Sequence, residues 1–191
     1  MAMHLEGSRI VLREFVGDDW AAVQAWASRP EVCRYQAWGP NTPAESRVHV
    51  ERVLQAAAWQ PRRDYTLAAA LRTDGRVIGS GALHLRNERF RTGEIAYVVH
   101  PDHWGRGLAT EIATLLLRRG FEEFHLHRIY ATCDPRNAGS GRVLQKIGMV
   151  HEGRLRHTML IRDGWRDSDV YGIVEHEWLA AASRPCPVGE A

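Results

Sequence analysis

The sequence predicts a single α/β domain, a mixed and mostly antiparallel sheet of six to seven strands with helices on both faces. Three observations lead there. Residues 65–71, 77–85 and 94–99 are successive apolar, β-rich runs joined by short polar turns, and Thr73-Asp74-Gly75-Arg76 carries the Asp-Gly hairpin signal. The third run passes through a loop with two glycines into a helix whose Leu108, Ile112, Leu115 and Leu116 share one face, at i, i+4, i+7 and i+8. Another strand, 128–133, follows that helix, and a strand–helix–strand crossover returns parallel and right-handed.

From the N-terminus, residues 9–14 read as a first strand. Asp18 or Asp19 can cap a helix in which Trp20, Val23 and Trp26 share a face, ended by Arg29-Pro30. Residues 33–40 form an aromatic loop, after which Thr42 as N-cap, Pro43 at the first helical position and Glu45 start a helix that runs to about Ala58. Within the hairpin, Gly79 and Gly81 suggest a bulge or a close backbone approach. The central helix continues to about Phe124, with Arg118/Glu122 and Arg119/Glu123 at i, i+4 on its wet side. Asp134-Pro135-Arg136-Asn137 is loop and cap for a short helix, 138–147, that Gly148 ends as a left-handed residue. Residues 149–153 and 155–161 read as a bulged strand, Asp163-Gly164 as a turn and 170–174 as the last strand. The domain is placed at 1–180, with 181–191 as a mobile tail.

Composition excludes several function classes. The 191 residues suffice for one sizeable core, and 45% apolar with 25% charged content is that of a globular protein. A net charge of +2 with scattered arginines gives no reason to expect nucleic acid. No apolar leader and no run of 18 apolar residues is present, so a cytoplasmic protein without membrane association is expected. Cys33, Cys133 and Cys186 suggest neither a disulfide framework nor zinc, and His125 and His127 stand too close together, without acidic or cysteine companions, so no metal is expected.

The chemistry concentrates between Glu94 and Glu111. Glycines opening a helix expose unpartnered N–H groups to a ligand, which makes an anion site suited to phosphate. A dinucleotide fingerprint is the rival reading. It fails at its third position, where Thr110 stands for Gly or Ala, and about half of the chain precedes the loop.

Trp104-Gly105-Arg106-Gly107-Leu108-Ala109-Thr110-Glu111 after an apolar strand resembles the acetyl-CoA pyrophosphate loop of the GCN5-related N-acetyltransferase (GNAT) superfamily, in the branch that acetylates ribosomal-protein N-termini. The superfamily pattern is Arg or Gln, two residues, Gly, one residue, Gly or Ala. Gly107 and Ala109 match it, and Trp104 stands where that branch often carries Trp. Asn137-x-x-Ser140-x-x-Val143-x-x-Lys146-x-Gly148-Met149 resembles the family's second signature, with Met149 in place of Phe, and Asp167-x-x-x-Tyr171 with Glu177-Trp178 is a weaker third match. The resemblance spans roughly residues 8–180.

The resemblance implies acetyl-CoA as co-substrate, with the 94–99 and 128–133 strands splayed apart to admit pantetheine. The N–H groups of Gly105, Gly107, Leu108, Ala109 and Thr110 would hold pyrophosphate, with Arg106 as a nearby charge; Trp104, Asn137 and Ser140 complete the cofactor contacts. The backbone of Val99 and His100 would polarise the thioester carbonyl. Many members place a Tyr where this chain has Leu144, which makes Ser140 the donor to the leaving sulfur. Glu94 is the family-like general base, acting directly or through water and touching the acceptor; Glu111, Asp163 and Asp167 are alternatives, with Glu111 better suited to the helix dipole. Tyr35, Trp38 and, less specifically, Trp59 are candidate acceptor contacts. Cys133 reads as a small pocket-lining residue. The implied reaction is direct acetyl transfer to a primary amine, first an N-terminal α-amine of a protein or peptide. A small-molecule amine, or a non-catalytic acyl-CoA-binding module, are the alternatives, and homodimers are common in the family.

Overall fold

The computed structural model describes residues 3–182. The chain opens with the short β1 (His4–Glu6) paired to β2 (Ile10–Glu14), and a 3-10 turn then leads into α1 (Trp20–Ala27), α2 (Pro30–Cys33) and α3 (Pro43–Ala58). The meander β3 (Asp64–Leu71), β4 (Val77–Asn87) and β5 (Thr92–Val99) follows, then α4 (Leu108–Glu122), β6 (Arg128–Cys133) and α5 (Ala138–Lys146). A long hairpin of β7 (Val150–Ile161) and β8 (Gly164–Val174) leads to α6 (Glu175–Ala182).

Local rules explain most of these boundaries. At α3, Thr42 Oγ1 accepts from the Glu45 amide at 3.3 Å while Glu45 Oε2 accepts from the Thr42 amide at 2.7 Å, a reciprocal capping box. Gly148 closes α5 at φ +89°. The strands form one eight-stranded sheet in the order β1-β2-β3-β4-β5-β6-β8-β7, antiparallel except for the β5–β6 pair.

Two apolar clusters cover its faces. On one side Leu108, Ile112, Leu115 and Leu116 of α4 and Leu144 of α5 pack on alternate sheet residues such as Leu67, Ala69, Leu83 and Ile95. On the other, Val23 and Trp26 of α1 and Val50 of α3 pack around Ala68 and Phe15. Burying each large side chain contributes ~1.5–3 kcal/mol. A Cβ at Gly81 would sit 2.7 Å from Ile112 Cγ2, so the glycine is what lets α4 lie close against β4.

The structure departs from the sequence reading in several places. The eighth strand is β1, whose three residues are too few to display a period of two. β8 begins at Gly164, not at residue 170, because its polar first half is held as a hairpin arm against β7. Arg119 pairs with Glu123, but Arg118 donates to the Glu6 carbonyl at 3.2 Å and makes no pair with Glu122. Residues 181–182 close α6, where a tail was expected; residues 183–191, with Cys186, lie outside the described residues. Among the described residues no helix is long and apolar enough to cross a membrane.

Candidate active site

Sheet pairing opens the site. β5 and β6 are in register at Thr92/Arg128, Gly93/Ile129 and Glu94/Tyr130, and there their pairing ends. Beyond it Ala96, Tyr97 and Val98 face Ala131, Thr132 and Cys133 across a cavity of about 680 Å³, which continues to α5 and to the aromatic residues near α1.

The glycine loop lies beyond the end of β5. Gly105 and Gly107 take φ of +72° and +75°, left-handed values that favour glycine. Gly107 caps α4 without any side-chain bond, so the amides of Leu108, Ala109 and Thr110 point out of the helix end free of intrahelical partners. Arg9 Nη1 donates to the Arg106 carbonyl at 2.6 Å, and Glu111 accepts from the Arg9 amide at 2.7 Å, from Arg9 Nε at 2.8 Å and from Ser8 Oγ at 3.1 Å. Burial alone would raise the Glu111 carboxyl, but the backbone and side-chain bonds from Arg9 hold it below its ordinary value. Both Glu111 carboxylate oxygens are thus engaged, holding the start of β2 against the head of α4. His103 is pushed below its ordinary value by burial and by Arg106 and Arg76, which mark the loop as electropositive.

Trp104 ties this loop to the strand, its Nε1 donating to the Val99 carbonyl at 2.7 Å while half of its surface stays exposed. Of the two backbone candidates at the strand end, His100 is corrected: its amide donates to Ile78 O at 2.7 Å and is not free for a thioester. That bond makes Val99/Gly79 a non-hydrogen-bonded pair, which turns the Val99 N–H away from β4 and toward the gap.

On α5, Asn137 Oδ1 accepts from the Ser140 amide at 3.1 Å and caps the helix. Ser140 lines the cavity, with Tyr97 Oη 3.0 Å from its Oγ. Leu144 is fully buried in the core. Cys133 also faces the gap; burial first, then the charge of Asp169, pushes its thiol up to about 11 against an opposing bond from Ser140.

Glu94 lines the cavity, one-fifth exposed. Its Oε2 takes all the contacts, 2.8 and 2.7 Å from Arg86 and 3.3 Å from Tyr130, which leaves Oε1 for a ligand. Asp167 lines the same cavity but accepts the His157 amide at 3.0 Å, and Asp163 is exposed and paired with Arg166. Tyr35 and Trp38 both line the cavity, whereas Trp59 is 73% exposed and stands apart from it. Their loop is pinned from the β7–β8 turn, where Arg162 donates to the carbonyls of Gly39 (2.6 Å), Trp38 (3.2 Å) and Cys33.

Sequence reasoning missed Arg9, Arg86, Tyr97 and Arg162. Tyr97 alternates with Ile95 and Val99 and so reads as core. The arginines carry no local signal of their distant partners.

A family model described as an acetyltransferase (GNAT) domain matches residues 9–150. The uncharacterized N-acetyltransferase YnaD of Bacillus subtilis (strain 168) is 34% identical over 179 residues, 92% of this chain and 99% of its own. The spermidine N(1)-acetyltransferase of Escherichia coli (strain K12) is 30% identical over 112 residues, 59% of this chain and 60% of its own. The crystal structure of a GNAT-family acetyltransferase from Bacillus anthracis superposes with a TM-score of 0.80 at 31% identity, covering 91% of this chain and 99% of that one.

Proposed function

The chain belongs to the acetyltransferase (GNAT) family and is an acetyl-CoA-dependent N-acetyltransferase, and from that premise we propose that its acceptor is the N-terminal α-amine of a protein or peptide. The observation that carries this choice is the state of Glu94. Its Oε2 is held by Arg86, so only Oε1 is left to take a proton, directly or through water, which suits a nucleophile that needs little deprotonation. At pH 7 an α-amine of pKa ~7.9 is already about one-tenth neutral, whereas an amine of pKa ~10.4 is neutral in roughly one molecule per few thousand.

A polyamine is the second reading, because two relatives bear that activity in their names. It would bring further positive charges into the cavity. There Glu94 and Asp134 are held by Arg86 and Arg136, Glu45 caps α3 and Asp167 accepts a backbone amide, so the described carboxylates already have partners.

In the proposed reaction the amine attacks the thioester carbonyl, polarised by the Val99 N–H. The new C–N bond forms as the C–S bond breaks; the nitrogen gives up a proton to Glu94 or water, and the sulfur takes one from Ser140 Oγ. The loop amides of residues 105–110 and Arg106 are assigned the pyrophosphate.

Release of CoA thiol tests the acceptor. Saturable release is expected with Ala-, Ser- and Met-initiated peptides and not with an N-blocked lysine peptide. Saturation with spermidine alone would replace the α-amine reading by the polyamine one.

A further inference from the structure

We propose that Tyr97 is a positioning residue for Ser140: its phenol holds the serine hydroxyl as an acceptor, so that the serine's own hydrogen is directed into the gap toward the leaving sulfur. The inference rests on Ser140 being the proton donor, the reading given above.

A serine in the first turn of a helix can rotate among staggered positions and commonly bonds back to local backbone. Here the backbone side is already fixed, because Asn137 Oδ1 accepts the Ser140 amide at 3.1 Å. Tyr97 reaches α5 from the splayed half of β5 and places its Oη 3.0 Å from Ser140 Oγ and 3.2 Å from Ser140 O. The phenol has one hydrogen for these two acceptors. Donated to the carbonyl, it leaves Tyr97 Oη free to receive the serine hydrogen, which is then turned away from the gap. Donated to Oγ, the shorter contact, it frees the serine hydrogen for the sulfur. Burial pushes the Tyr97 phenol far above its ordinary value, so it stays a donor across the working pH range. Leu144, one turn on, is apolar and fully buried and offers no competing bond; the Cys133 thiol, which also takes a bond from Ser140, is a weak acceptor that a leaving thiolate outcompetes for the serine hydrogen.

The step needs no proton from Tyr97. Ser140 Oγ–H goes to sulfur as the C–S bond breaks, and the phenol's hydrogen bond stabilises the oxygen left behind. The serine recovers its proton through cavity water, which passes on the one that Glu94 or that water took from the acceptor nitrogen.

The full chain is compared as wild type, Tyr97→Phe, Ser140→Ala and the double variant, measuring kcat, both KM values and CoA binding with an Ala-initiated peptide. Ser140→Ala is expected to lower kcat at least ~10²-fold. Tyr97→Phe should lower kcat about tenfold, the rate equivalent of roughly 1.4 kcal/mol, with both KM values within about twofold. The double variant should fall no further than Ser140→Ala, because the tyrosine acts only through the serine. A near-normal Tyr97→Phe beside an impaired Ser140→Ala overturns the Tyr97 assignment alone. A near-normal Ser140→Ala overturns the serine reading beneath it. Additive losses, or a Tyr97→Phe worse than Ser140→Ala, also overturn the proposal.

Should Tyr97→Phe not fold, 4-fluorophenylalanine at position 97 keeps the ring and fills the place of the phenol oxygen while lacking its donating hydrogen. It should lower kcat about tenfold, as expected of Tyr97→Phe, and a near-normal kcat overturns the proposal.

Discussion

Arg9 and Glu111 close on each other beside the glycine loop: the Arg9 amide and Nε lie 2.7 and 2.8 Å from the two carboxylate oxygens, while Arg9 Nη1 holds the Arg106 carbonyl at 2.6 Å. The residue leading into β2 thereby sets the position of the loop at the head of α4, and a Cβ at Gly107 would already touch the Arg9 guanidinium at 3.4 Å.

This clasp sets an acid limit. The folded Glu111 carboxyl lies below its unfolded value, so its contribution to stability is complete above the usual carboxylate range near ~4.3 and is lost as pH falls through the lower folded value. Glu111→Gln should melt lower than wild type at pH 7 and lose less melting temperature between pH 5 and 3. Parallel melting curves against pH would contradict this. Arg9→Ala should weaken acetyl-CoA binding about tenfold by freeing the loop, the equivalent of roughly 1.4 kcal/mol.

Glu94 is expected to matter most where the amine is least neutral. Glu94→Gln should lower kcat/KM by ~10²-fold near pH 7, with a deficit that shrinks above about pH 8, where an α-amine loses its own proton. A pH-independent deficit, or one under threefold, would remove Glu94 from the reaction.

Cys133 faces the gap yet should not carry the acetyl group. With its thiol pushed up to about 11, the thiolate is only about one part in a thousand at pH 8. Cys133→Ala should keep most of the activity, and mass spectrometry of enzyme mixed with acetyl-CoA alone should find no acetylated cysteine. A stable acetyl-Cys133 would replace direct transfer by a two-step route.

Arg162 should act on the acceptor only. Its bonds to the carbonyls of Cys33, Trp38 and Gly39 fix the loop that presents Tyr35 and Trp38 to the cavity. Arg162→Ala is expected to raise the acceptor KM about tenfold, the equivalent of roughly 1.4 kcal/mol, with acetyl-CoA affinity unchanged. Equal effects on both substrates would mean that the loop is not its target.

What the sequence disclosed follows from the range of the forces involved. The β5–loop–α4 unit and the start of α3 were legible because periodicity, glycine and capping act within a few residues. Ser140 and Asn137 were legible through their motif. The choice between the Val99 and His100 amides was not, because it depends on the cross-strand register Gly79/Val99. The Arg86–Glu94, Tyr97–Ser140 and Arg162–loop contacts likewise exist only once distant segments meet, and β1 is too short to announce itself.

The most direct measurement is a one-pot competition. Enzyme and limiting acetyl-CoA are mixed with equal concentrations of an Ala-initiated peptide containing an internal lysine, and spermidine, and the acetylated atom is located by mass spectrometry. Acetyl found mainly on the peptide's α-amine is the expected result. Acetyl on spermidine or on the lysine side chain would contradict the account of Glu94 and of the cavity it faces.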